Sequence, residues 1–135
     1  MDTYYGEIRM FAGNYAPRGW ALCDGQLLPI NENQVLFSIL GTIYGGDGRT
    51  DFALPDLRGR APIHVGDSRG PGLSHHRLGE RGGLEQTERQ PIQIKSGSGA
   101  DATVLSGRQA EANNMQPYLA VNFIIALQGH IPPRN

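Results

Sequence analysis

The chain reads as a mainly β protein (α+β): one compact domain, residues 1–135, of short strands and hairpins with one short helix and long Gly/Pro-rich loops. Three observations carry that reading. Nineteen glycines and nine prolines in 135 residues punctuate the chain too often for long helices, while 39% hydrophobic residues still supply a core. Apolar residues recur at every second position in GEIRMFA (6–12) and YLAVNFIIAL (118–127), the period of a strand. Only INENQVLFSILG (30–41) has the i, i+3, i+4 spacing of a helix.

Taken in order, Ile8, Met10 and Ala12 alternate with Glu7, Arg9 and Phe11, which predicts a strand with one buried side. NYAPRG is a turn. WALC-DG-QLL has the form of a β-hairpin, because Asp-Gly accepts the positive φ angles of a two-residue type I′ loop; Leu22 would face Leu27, Cys23 would face Gln26, and Trp20 would fill one side of the core. In that setting the Asp24 side chain bonds nearby turn N–H groups and Cys23 is a small apolar residue at a strand end. The alternative, a reactive thiol, lacks a neighbouring histidine in sequence to activate it.

The helix over 30–41 would be capped by Asn31, with Gln34 at the capping-box position and Gly41 closing it; Val35, Leu36, Ile39 and Leu40 form its core stripe. Residues 42–66 are loop-dominated. Gly45, Gly46 and Gly48 permit a sharp turn, Pro55 and Pro62 fix φ, and Phe52, Leu54, Leu57 and Ile63 pin the run to the core. Residues 66–83, Gly- and Arg-rich with few anchors, form an exposed loop and the surface best suited to function. A second hairpin is expected over 91–107, pairing Ile92 and Ile94 with Thr103–Leu105 across SGSGAD. In the last apolar stretch, Leu119, Val121, Phe123, Ile125 and Leu127 alternate with Tyr118, Ala120, Asn122, Ile124 and Ala126. Apolar on one side and nearly so on the other, it is a central strand paired with the N-terminal one; its β-branched content disfavours the competing helix over 117–129.

Charge and cysteine usage narrow the function. Twelve Lys+Arg against thirteen Asp+Glu leave a net charge of −1, so no global field holds nucleic acid or an anionic membrane. The longest apolar run is too short for membrane insertion, and the N-terminus lacks the apolar segment of a classical signal peptide. One cysteine forms no internal disulfide.

No chemical motif survives inspection. Gly41 and Gly46 have the spacing of a phosphate loop, but Asp47 stands where its lysine belongs. Asp47 and Asp51 lack the oxygen-ligand pattern of a calcium loop, so turn stabilisation is the better reading. His64, His75, His76 and His130 show no zinc spacing; a threefold axis bringing one histidine per chain together is the exception that spacing does not reveal. No nucleophile elbow is present. The expectation is no catalytic residue, no metal and no cofactor. Arg69, His75, His76, Arg77 and Arg81 are the candidate contacts for an anionic glycan, against the plainer reading of a solvated surface.

Three stretches, GEIRMFAGNYAPRGWALCDGQLLPI, LFSILGTIYGGDGRTDFALPDLRGRAPIHVG and NNMQPYLAVNFIIALQG, resemble in order the phage tail collar domain of short tail fibres and of bacterial proteins commonly called microcystin-dependent proteins. The combination of GW..CDGQ, YGGDG and LPDLRGR carries the resemblance. It implies a non-enzymatic structural module of fibre tips, often trimeric, whose variable outer region touches a cell-surface receptor, in a virion or at a cell surface after a cytoplasmic stage. On that reading Trp20, Cys23, Asp24, Gly25, Gly45, Gly46, Asp47, Pro55, Asp56 and Arg58 set backbone geometry. The chain departs from many relatives in lacking histidines after its GGLE stretch, and with no shaft of repeats it is expected to work as a homo-oligomer, trimer or filament, or on partner proteins. A filament subunit and a lectin-like module binding surface glycan are the competing readings; an enzyme is a third, for which no residues speak.

Overall fold

The computed structural model describes residues 2–67, 74–88 and 111–134. Its elements are β1 (Ile8–Phe11), β2 (Trp20–Leu22), β3 (Leu27–Pro29), α1 (Gln34–Leu40), β4 (Asp51–Ala53), β5 (Gly66–Asp67), β6 (His75–His76), β7 (Gln86–Glu88), β8 (Glu111–Asn113) and β9 (Asn122–Ala126). Among the described residues the protein is mainly β with one short helix, as its sequence predicts. Among the described residues no helix is long and apolar enough to cross a membrane. The chain divides into two compact units, one of residues 1–80 and 120–135, the other of residues 81–119.

The first unit is organised by β9. It lies between β1 and β2 in an antiparallel sheet of order β1-β9-β2, with Ile8 opposite Ile125 and Ala21 opposite the same residue on the other side. The predicted central strand is therefore present and paired with the N-terminal strand. It is shorter than the alternation that announced it: Tyr118 and Leu119 precede it and are exposed. Ile125, Ala21 and Cys23 join Leu36 and Leu40 of α1 and Phe52 and Leu54 in one buried cluster, with Phe37, Tyr44 and Leu57 packed against it. Phe52 and Leu54 are fully buried and Leu57 packs against the core, as loop anchors should; Ile63, the fourth expected anchor, is 67% exposed.

The Asp-Gly hairpin does not form. β2 pairs with β9, and β3 pairs with β4, Leu28 opposite Phe52. The backbone groups a hairpin would use are already committed: Cys23 N–H donates to Phe123 O (2.9 Å), Cys23 O accepts from Leu57 N–H (2.9 Å), and Gln26 O accepts from Leu54 N–H (2.9 Å). Asp24-Gly25 is a bend that carries the chain from one sheet to another. β4, the partner that β3 takes instead, is three residues long and lies inside the run read as loop.

Two side-chain placements also differ from expectation. Ile8 and Met10 are 41% and 71% exposed, because β1 is an edge strand with core neighbours on one side only. Trp20 lies on the sheet face opposite the core cluster, since its neighbour Ala21 occupies the core face. There it is half-buried, with the Arg9 guanidinium 5.3 Å from its ring centroid. Trp20→Ala is accordingly expected to cost about 1–3 kcal/mol, below the range of fully buried aromatics. Urea denaturation of the variant checks this, and a loss as large as that of Phe52→Ala would contradict the assignment.

The helix begins three residues after the expected cap. Ile30 O accepts from Asn33 N–H (3.0 Å), which puts Asn31 inside a turn, and Asn33 rather than Asn31 stands at the N-cap. The Asn33 amide turns back to donate to Pro29 O (3.0 Å), leaving the helix without a side-chain cap. Gly41 ends the helix as predicted, with φ +55° and its N–H donating to Phe37 O (2.8 Å). In the second unit β7 and β8 pair antiparallel, Thr87 opposite Ala112. The predicted hairpin over 91–107 lies outside the described residues.

Candidate functional site

The residues that sequence patterning singles out fall into two constellations of turn geometry and one exposed surface. In the first, residues 23–26 run antiparallel to 54–57. An isolated bridge joins Asp24 and Asp56, and Gly25 N–H donates to Pro55 O (3.2 Å). Gly25 has φ +77°, and a Cβ there would sit 3.2 Å from the Asp56 side chain, so this crossing needs glycine. Asp24 Oδ1 accepts from Gln26 N–H (3.2 Å), the local task expected of it. Asp56 takes a two-point contact from Arg58, Nε to Oδ1 at 2.8 Å and Nη2 to Oδ2 at 2.9 Å. The guanidinium holds the Asp56 carboxyl well below the usual range, and the carboxylate in turn pushes the Arg58 pKa up.

Cys23 is buried at 4% exposure, and burial, reinforced by the Asp24 charge, pushes its thiol up to about 11. Tyr44 is raised by the same burial and by the neighbouring thiol. A protonated, enclosed sulfur is a poor nucleophile. Labelling by a thiol reagent at pH 8 is expected to track global unfolding; labelling of the folded protein within seconds would contradict this burial.

The second constellation is YGGDG. Asp47 Oδ1 accepts the N–H groups of Arg49 (2.8 Å), Thr50 (2.9 Å) and Asp51 (3.1 Å), while Oδ2 accepts from Thr50 Oγ1 (2.8 Å). Asp51 Oδ1 returns the favour to Asp47 N–H (2.9 Å). Donors surround the carboxylate where a cation would have to sit, which explains the turn-stabilising pattern. These hydrogen bonds, the one from Asp51 N–H foremost, hold the Asp47 carboxyl far below the usual carboxylate range. A depressed folded value means that the stabilisation is complete above the unfolded value of about 4 and is lost as pH falls below it. Asp47→Ala should therefore lower Tm at pH 7, with the gap to wild type narrowing progressively as pH falls from about 4 to 2. A gap that is constant with pH would exclude the carboxylate's charge as the cause.

The third constellation is exposed. Gly66 pairs with His76 and Asp67 with His75, so the predicted loop over 66–83 contains a short ladder. His75 and Arg77 are exposed and His76 half-buried. Arg81 belongs to the second unit, and Arg69 lies outside the described residues. Sequence reasoning missed Glu80, whose Oε2 accepts from Arg77 N–H (2.8 Å) and whose Oε1 lies 3.7 Å from His76 Nδ1. Its carboxyl is pulled down by that N–H and by the His76, His75 and Arg77 charges. The i, i+4 spacing of His76 and Glu80 was the available signal. Among the described residues no group of three or more His, Cys, Asp or Glu is placed to hold a metal ion.

No curated protein matches the chain. The words GW..CDGQ, YGGDG and LPDLRG, which build the first two constellations, all fall within one stretch recognised by a family model. Residues 6–62 match the Phage Tail Collar Domain, a structural domain of phage tail fibres, and over that stretch the resemblance read from the sequence holds.

Proposed function

We propose that the chain is a non-enzymatic structural and adhesive component of a phage-derived fibre or fibre-like assembly, placed on a virion or cell surface and working as a homo-oligomer. One observation carries the reading: in the segment matching the collar domain, the distinctive acidic residues are spent on local structure, Asp47 on its own loop, Asp24 on the strand-switching bend and Asp56 on the backbone N–H and guanidinium of Arg58. Such a scaffold holds a shape, and it commits these carboxylates and the buried Cys23 thiol to structure rather than to bond-making. Association is supported by the surface. Among the described residues, large apolar side chains standing exposed, Met10, Tyr15, Ile63, Leu78 and Ile131 among them, outnumber those in the core.

Receptor contact belongs to the β5–β6 ladder, where His75 and Arg77 present donors to an anionic glycan. Light scattering of the purified chain tests the assembly: a monomer at every concentration would end the oligomeric reading. Glycan-array binding that survives His75→Ala with Arg77→Ala would end the receptor assignment. A filament is the second reading, for which the exposed apolar side chains would supply the contact between copies, and electron microscopy separates long fibres from discrete particles.

A further inference from the structure

The two edges of the β1-β9-β2 sheet are finished differently. On β2, Trp20 N–H donates to Pro17 O (3.0 Å) and Leu22 O accepts from the Gln26 side chain (3.1 Å), so local bonds take an N–H and a C=O of that edge. On β1 the ladder to β9 runs through Glu7, whose O accepts from Ala126 N–H, and through every second residue after it. Ile8 and Met10 therefore aim their N–H and C=O groups away from β9, and among the described residues no strand takes them. Their side chains are exposed and apolar. The segment has no proline and no lysine to deter pairing.

We propose that this edge binds a second copy of the chain, β1 against β1, antiparallel about a two-fold axis at Ile8. The proposal rests on the oligomeric reading above and names its contact. Charge selects both occupant and register. Centred on Ile8, the pairing exchanges two hydrogen bonds between the Ile8 residues and sets Glu7 opposite Arg9 of the second copy, twice by symmetry. Met10 then passes over Gly6, which has no side chain to obstruct it. Centred on Arg9, the same edge would set two arginines face to face; centred on Met10, it would leave both charges without opposite partners. Glu7 and Arg9 already form an ion pair on one face of β1, so each is oriented there before the second copy arrives. The result is a continuous sheet, β2-β9-β1-β1-β9-β2, in which the Ile8 side chains cover each other at the rim of the core face.

A two-fold contact is isologous, so particles contain an even number of chains: a dimer, or three such pairs about a threefold axis in place of the simple trimer that the resemblance implies. Sedimentation equilibrium on the full chain tests this. Glu7→Arg and Arg9→Glu should each weaken self-association by at least about tenfold through like-charge pairs. Mixed in equal amounts, the two variants should associate with each other to within about threefold of wild type, because one then presents two positive and the other two negative side chains. An ion pair acting only within one chain does not predict that rescue. If either swap fails to fold by circular dichroism, Ile8→Lys serves instead, placing two ammonium groups at the axis; it should be monomeric. Odd-numbered wild-type particles, variants that assemble like wild type, or a mixture that stays dissociated would each overturn the edge pairing while leaving the homo-oligomer reading standing. A monomeric wild type would overturn both.

Discussion

Gly46→Ala is expected to leave the protein largely unfolded or to lower its Tm by more than about 10 °C. A Cβ at this position would lie 2.4 Å from Phe52 Cα and 3.0 Å from both Asp51 O and Phe52 C, all of them backbone atoms. Those atoms cannot move aside cheaply: Phe52 is paired with Leu28 across the β3–β4 ladder, and Ala53 N–H donates to Gly45 O (3.0 Å). Gly46 also has φ +91°, which adds about 1–2 kcal/mol of strain for an L side chain, while overpacking against an immobile strand adds about 1–3 kcal/mol. Together these rival the whole stability of a small domain, about 5 kcal/mol at the low end. Gly66→Ala is the control. Gly66 lacks a positive φ, and nothing lies within 4 Å of its would-be Cβ, so the same substitution should change stability by less than about 0.5 kcal/mol. Equal losses at the two positions would mean that the close approach of loop to strand does not set the cost.

Phe52→Ala is expected to cost about 3–5 kcal/mol in urea denaturation. Its side chain is wholly enclosed and meets Phe37 of the helix at a 5.4 Å centroid separation and a 53° tilt, tying α1 to β4. Removing the ring leaves a cavity beneath Leu36 and Leu54, which the short elements around it are too constrained by hydrogen bonds to fill. Phe52→Leu, which keeps most of the volume, should cost less than about 2 kcal/mol. A double-mutant cycle with Phe37→Leu should give a coupling of about 0.5–1.5 kcal/mol if the ring pair contributes beyond its buried area. Additive losses would reduce Phe52 to a simple space-filler.

Much of this core is legible in the sequence. β9 shows itself in an alternation that a helix would have wasted, α1 in the spacing of Leu36 and Leu40, and the buried anchors Phe52 and Leu54 as apolar residues stranded among glycines and prolines. The same holds for Asp47, whose position after two glycines signals a carboxylate serving its own turn. β4 was hidden because three residues are too few to display a period. Glu80 is hard to read because, outside a helix, an i, i+4 spacing does not by itself bring two side chains together.

By itself, the sequence determined which residues want burial, where the main chain can bend, and that the distinctive words are bends, since these follow from side-chain volume and φ preference over a few neighbouring positions. Only the tertiary structure decided what each strand pairs with and which face it turns inward. The Asp-Gly pair is compatible with a hairpin, yet Cys23 reaches Phe123 and Leu57 for its hydrogen bonds, and that choice sends β3 to β4 and places Trp20 on the far side of the sheet from the core. Pairing is a competition among distant segments for the same N–H and C=O groups, and a local pattern carries no record of who wins it.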